Sequence, residues 1–395
     1  MMGSRTGKAS MPDTATASPW GAKLRLKAMI ITGMIMFVFI TMHLANLSLG
    51  LHSVQLMEDW RWALSGVWSS AVLKYLLQVS LVIHFIVALV SLYWRNTLRI
   101  PAYDMAQMIA GMLIIPLLGT HVFGVMAIKE LGLEPTYYLL LGQFWIVSPF
   151  NGLQQILMLV VAWIHGAIGV YSWLQARDGS ARIMKFFYPF VVALPILAML
   201  GYVEGGRQII SVEEGGLGYV MENDPNEFGP TVDPERIPEI LEQAKYRPKV
   251  ATRVSLGLIG LVLAARWLRL YRRRSGRVQV TYSGRLPTAF EADTGLTLLE
   301  MVHENSLPHA NICRGRGRCG TCRVRVLKGG ETLPPPSEME AQTLARWKAE
   351  PDERLACQMV PNDGALEVQR VIEPDYSDLD YSKTKSDATD PVGAS

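Results

Sequence analysis

Six apolar runs constrain this chain more than any other feature: roughly Ala28–Leu51, Val72–Trp94, Ala106–Ile128, Leu153–Leu174, Phe186–Val203 and Val250–Leu268. A helix needs about 20 apolar residues to cross the hydrocarbon layer of a bilayer, where every backbone polar group must be satisfied internally. The first four runs meet that length. The fifth is short and carries Pro189 and Pro195. The sixth carries Arg253 near one end, where a long side chain reaches the headgroups. The runs predict an all-α six-helix membrane domain over residues 25–275. Hydrophobic residues make up 50% of the 395 and charged residues 18%, too apolar for an ordinary soluble enzyme. The net charge of +3 gives no basis for a nucleic-acid partner.

Basic residues cluster at Lys23, Arg25 and Lys27, at Arg95 and Arg99, at Arg177, Arg182 and Lys185, and at Arg269 and Arg272–Arg274. With six crossings all four clusters fall on one side, so both termini are expected in the cytoplasm and the protein in the inner membrane. The acidic stretch of about 204–249 is expected as an outer loop. Residues 1–24 and 373–395 are polar and read as disordered tails.

Residues 277–372 have the composition of a soluble domain. Val278–Tyr282 and Cys322–Leu327 alternate as strands, and Leu366–Val371 reads as a last strand. Leu296–Asn305 predicts a helix capped by Thr294. Ser337–Lys348 predicts another, with Ser337 as cap and Glu340 three residues on.

All four cysteines lie in this domain: Cys313, Cys319, Cys322 and Cys357, spaced C-x5-C-x2-C and then 34 residues to the last. Three thiolates on one loop and one distant thiolate form the usual ligand set of a [2Fe–2S] cluster. Gly315, Gly317 and Gly320 allow the loop to turn backbone N–H groups toward sulfur. A structural zinc site is the alternative, but such sites usually pair two short knuckles. Residues 278–372 resemble a β-grasp ferredoxin. The five-residue first gap and the stretch Arg354-Leu-Ala-Cys357-Gln are similar to the vertebrate and bacterial iron–sulfur-assembly branch. That resemblance implies an α+β fold and one cluster. Those ferredoxins usually present acidic residues to their partners. Here Arg314, Arg316, Arg318, Arg323 and Arg325 surround the motif, which implies a raised potential and a different docking partner.

Four of the seven histidines lie within apolar runs, one on each of the first four: His43, His84, His121 and His165. Ionisable groups inside a bilayer are costly and are functional candidates by default. At 1.5 Å per residue, His43 and His121 lie about 22 Å from the cytoplasmic ends of their helices, and His84 and His165 about 15 Å. The depths pair His43 with His121 and His84 with His165, as two bis-histidine b haems require. Bonding between helices or proton relay is the alternative. Gly119, Gly124, Gly166 and Gly169 flank these positions and would admit a flat porphyrin. Arg95, Arg99 and Arg177 either set orientation or bind propionates.

The histidine pattern resembles the dihaem cytochrome b anchors of succinate and fumarate reductases. It is closer still to the six-helix haem anchor of some class III adenylyl cyclases, where a ferredoxin module can follow. Ascorbate-type six-helix cytochromes b carry ligands on helices two to five, whereas the fifth run here has no histidine. These resemblances imply electron transfer between a cytoplasmic cluster and two haems, with a quinone on the membrane side and a soluble redox partner in the cytoplasm. The rival reading is a redox sensor signalling to a separate partner such as a cyclase. A third is a structural anchor with vestigial cofactors. No flavin or nicotinamide fingerprint and no nucleophile–base constellation is visible, so a component, not a stand-alone enzyme, is expected. His52, His303, His309, Trp163 and Tyr171 are expected in local hydrogen-bonding, packing or surface roles.

Overall fold

A computed structural model of the chain describes residues 19–98, 100, 102–175, 180–211, 224, 230–273, 276–285, 287–313, 315–362 and 364–374. Arg99, Arg177, Arg274 and Arg314, most of both expected tails and the middle of the expected acidic loop lie outside these residues.

Six helices are long and apolar enough to cross a membrane: α1 (Pro19–Ser48), α4 (Ala71–Trp94), α5 (Ala102–Glu130), α7 (Pro149–Gln175), α8 (Ser180–Ile210) and α9 (Ile237–Arg273). Short helices α2 (Val54–Asp59), α3 (Arg61–Leu64) and α6 (Tyr137–Gly142) connect them at one end. Large apolar side chains point outward, among them Val72, Phe150 and Phe186 at 75–79% exposure. So apolar an outer surface fits a multi-pass membrane protein.

The helices outrun the apolar runs. The first begins at Pro19, inside the stretch expected as a tail. The fifth covers 31 residues instead of the short run, and Glu204–Ile210 continues it. Ile237–Lys249 belongs to the sixth. The loop expected at about 204–249 is therefore shorter. Polar side chains support these extensions by pairing along the helix. Arg207 donates two hydrogen bonds to Glu204 at 2.7 and 2.8 Å. Gln243 donates to Glu239, and Arg247 reaches Glu130 on α5 at 2.6 Å.

Pro195 lies inside α8 and has no N–H for the carbonyl of Val191, four residues back. The indole of Trp163 on α7 donates to that carbonyl at 2.8 Å. Trp163 is buried and stacks on Phe37 of α1. The residue expected to serve packing thus also repairs a helix. Gly50 and Gly201 bring the end of α1 against α8: a Cβ on Gly201 would lie 2.1 Å from the Leu47 carbonyl.

The C-terminal domain is one mixed sheet in the order β2-β1-β5-β3-β4. Its strands are β1 (Arg277–Ser283), β2 (Thr288–Asp293), β3 (Arg323–Lys328), β4 (Glu353–Leu355) and β5 (Gly364–Arg370). β1 runs antiparallel to β2 and parallel to β5, and β3 is antiparallel to both neighbours. Val278, Val280 and Tyr282 alternate inward, as expected, against Leu298, Met301 and Val302 of helix α10 (Leu298–Glu304). The cap of α10 is Thr297 and not Thr294: the Thr297 hydroxyl accepts from Glu300 N, and the Glu300 carboxylate accepts from Thr297 N. Thr294 instead donates to the Gly276 carbonyl. Helix α11 (Glu338–Arg346) has Ser337 as its cap. The buried carboxylate of Glu340 does not close a capping box there. It accepts two bonds from Arg354 and one from Leu355 N.

The two parts touch. Arg266 and Arg269 of α9 donate to the carbonyls of Tyr93, Arg95 and Asn96, at the carboxyl end of α4, and Arg269 lies over the Tyr93 and Trp94 rings. Asn96 donates to Glu300 of α10 at 3.3 Å.

Trp163→Phe keeps one aromatic ring and removes the donor to Val191. The expected loss is about 1–3 kcal/mol, read as a lowered thermal midpoint of the purified protein in detergent.

Candidate functional site

The four bundle histidines meet in two pairs. The rings of His43 (α1) and His121 (α5) have centroids 6.0 Å apart, and those of His84 (α4) and His165 (α7) 6.1 Å apart. Both pairs line one cavity of about 1070 Å³ within the bundle. The helix-by-helix depth count anticipated these partners.

Hydrogen bonds orient three of the rings. His165 Nδ1 lies 2.9 Å from the Gln107 carbonyl, which only accepts, so Nδ1 carries the proton. His84 Nδ1 lies 3.0 Å from Thr32 Oγ1, and that hydroxyl already donates to the Ala28 carbonyl. It therefore accepts from His84. His43 Nδ1 lies 3.3 Å from Ser65 Oγ. The Ser65 hydroxyl donates to Asn46 Oδ1, which also accepts from Tyr137, while Asn46 Nδ2 donates to the Met57 carbonyl. In each case Nε2 keeps its lone pair. His121 lies beside Gln155. Its Nδ1 and Gln155 Oε1 are both buried without a full hydrogen bond.

Two glycines missed in the sequence make room for the rings. A Cβ on Gly33 would lie 3.3 Å from His84, and one on Gly111 would lie 2.8 Å from His165. Gly166 and Gly169 line the cavity as expected. Gly119 does not: it faces Pro248 of α9. Gly124 meets nothing within 4 Å and is not among the cavity-lining residues. Helical spacing alone does not say which neighbour a glycine faces.

The second site is the cysteine loop before β3. None of the four cysteines is in a disulfide. They too form pairs. Cys322 and Cys357 Sγ are 3.2 Å apart. Cys313 and Cys319 share a hydrogen bond, which, ahead of the donors from Thr321, holds Cys319 down to about 5 and pushes Cys313 up. Several donors aim at these sulfurs. Arg318 N reaches Cys313, Cys313 N, Thr321 N and Thr321 Oγ1 reach Cys319, and Gln358 Nε2 reaches Cys357, at 2.9–3.5 Å. Gly315, Gly317 and Gly320 all have positive φ, between 65 and 78°, the left-handed region that only glycine enters freely.

The arginine surround is uneven. Arg323 and Arg325 pair with Glu353 and Asp352 around β4, and Arg323 also lies over Trp347. Arg316 and Arg318, half-buried, line the bundle cavity together with Cys313. His303 accepts a local hydrogen bond from Asn311. His309 is not at the surface: it is buried edge-on to Tyr282, and burial lowers its pKa to about 4. His52 ends the short turn after α1 and is exposed.

Sheet, crossing helix and thiol loop together define an electron-transfer domain of the iron–sulfur class. Residues 280–362 match the 2Fe-2S iron-sulfur cluster binding domain. The 2Fe-2S ferredoxin of Pseudomonas aeruginosa is 37% identical over 81 residues, 20% of this chain and 72% of that protein. Ferredoxin-1 of Aquifex aeolicus is 40% identical over 72 residues, 18% of this chain and 75% of that one. Among solved structures, the ISC-like [2Fe-2S] ferredoxin (FdxB) from Pseudomonas putida JCM 20004 matches at 26% identity, covering 24% of this chain and 91% of that one, with a TM-score of 0.22. Through its C-terminal domain this chain belongs to the 2Fe-2S ferredoxin family.

Gly320 has a φ of 71°, and a Cβ there would lie 2.4 Å from the Trp347 ring. Gly320→Ala is expected to displace the thiol loop. Iron and acid-labile sulfide per chain should fall well below those of the parent protein prepared in parallel.

Proposed function

We propose that the chain is a membrane electron carrier that links a cytoplasmic [2Fe–2S] cluster to two b haems in the bundle, and through them to a membrane quinone. The pairing of histidines across the bundle carries this reading. A metal–imidazole bond of about 2 Å on each side of one metal ion sets the ring centroids roughly 6 Å apart, close to both observed separations. The protons on Nδ1 of His43, His84 and His165 leave Nε2 as the donor atom, the usual arrangement behind a ligating imidazole. The cavity is slightly larger than the roughly 300–1,000 Å³ of a single small-ligand site, and its lining is mostly apolar. Each haem, when bound, supplies a one-electron iron couple.

At the second site, Cys313, Cys319, Cys322 and Cys357 would hold the cluster. Two thiol pairs suit two irons better than one tetrahedral ion, and the backbone donors offset negative charge on sulfur. Asn96, itself bonded by Arg266 and Arg269, donates from the end of α4 to Glu300 of the ferredoxin domain, which favours transfer within one chain. A soluble redox partner would exchange electrons with the cluster.

Purified protein should yield about two b haems by pyridine haemochrome and a rhombic signal from the reduced cluster. His43→Ala and His121→Ala should remove one and the same haem, and His84→Ala and His165→Ala the other. Loss of different haems within a pair, or a preparation without a Soret band, overturns the reading.

A further inference from the structure

Three of the four bundle imidazoles have an acceptor at Nδ1. His121 does not: its Nδ1 is buried with no hydrogen-bond partner among the described residues. On its own helix the carbonyl four residues back is that of Leu117. That oxygen already takes the hydroxyl of Thr120 at 3.3 Å and the amide of Gln154 at 3.4 Å. His121 lies beside a second glutamine of α7, Gln155. Gln155 is 7% exposed and lines the same cavity. Its Nε2 donates to the Asn151 carbonyl at 3.3 Å. A carbonyl only accepts, which fixes the amide's orientation and leaves Oε1 as a buried acceptor without a donor. An orphaned acceptor and an orphaned ring nitrogen therefore lie side by side in an apolar bundle. One arrangement satisfies both: Nδ1 carries the proton and donates it to Oε1.

We propose that Gln155 is the positioning residue of His121: ring and amide turn toward each other, Oε1 takes the Nδ1 hydrogen bond, and Nε2 is left as the ligand atom. The inference rests on the two-haem reading above and deepens it, because all four rings then share one tautomer. It also makes the two ligands of one haem unequal. His43 is held through Ser65 by the network of Asn46 and Tyr137, whereas His121 depends on a single amide. An acceptor at Nδ1 raises the basicity of the ligating nitrogen. A more basic ligand favours the oxidised iron, so Gln155 holds the potential of the His43–His121 haem down.

The test uses the full-length protein with both haems and the cluster, the haem in question being the one lost in His43→Ala. Gln155→Met fills the same space without an amide, and Gln155→Leu does so with a shorter side chain. Gln155→Glu keeps an acceptor oxygen at the same reach. Potentiometric titration of the haem bands should show this haem shifted to higher potential in the Met and Leu variants and at or below the parent potential in the Glu variant. The His84–His165 haem should stay unmoved in all three. A packing role alone would not follow the presence of an acceptor. Loss of this haem from the Met and Leu variants, with retention in the Glu variant, supports the inference equally. Parent potentials in both Met and Leu variants, a Glu variant raised along with them, or loss of the haem from all three overturns the inference alone. A parent protein with a cluster and no haem overturns the two-haem reading, and this inference with it.

Discussion

Neutral imidazoles held in a fixed orientation inside an apolar bundle are the constraint around which the N-terminal domain is arranged. A polar ring buried among methionines and leucines is costly unless each of its nitrogens has a use. One nitrogen is settled by the protein: a backbone carbonyl for His165, a committed hydroxyl for His84, and a serine wired to Asn46 for His43. The paired rings lie 6.0 and 6.1 Å apart, centroid to centroid. Gly33 and Gly111 supply the clearance that lets His84 and His165 lie against neighbouring backbones.

The same requirement recurs in the helices themselves. Prolines inside α8 leave carbonyls without donors, and in a membrane water is not there to replace them. Trp163 answers one of these from the adjacent helix. At the carboxyl end of α4 the exposed carbonyls are met by Arg266 and Arg269. These arginines read in the sequence as topological markers. In the fold they also tie α9 to α4 and, through Asn96 and Glu300, set the ferredoxin domain beside the bundle.

In the ferredoxin domain the loop backbone does for sulfur what side chains do for the imidazoles. Left-handed glycines turn amide groups toward Cys313 and Cys319, and Gln358 covers Cys357. The arginines around the loop divide between acids on β4 and the cavity of the bundle, so one charged sequence feature serves two surfaces.

Six apolar runs, the pairing of histidines by depth and the cysteine spacing were legible in the sequence, because helical rise and ligand spacing are local quantities. Strands β2 and β4 were not. Thr288, Phe290 and Ala292 alternate with more exposed neighbours, but only Ala292 is fully buried, and Glu353–Leu355 is three residues long, so neither stands out as a strand by its sequence; pairing with β1 and β3 makes them strands. The polar ends of α8 and α9 were hidden for the same reason, since side-chain pairs and neighbouring helices sustain them rather than hydrophobicity. Only the tertiary structure decided which glycines face the rings, which hydroxyls hold them and which arginines turn toward the cavity. Those are matters of direction in space, and composition and spacing along a chain do not encode which neighbour a side chain meets.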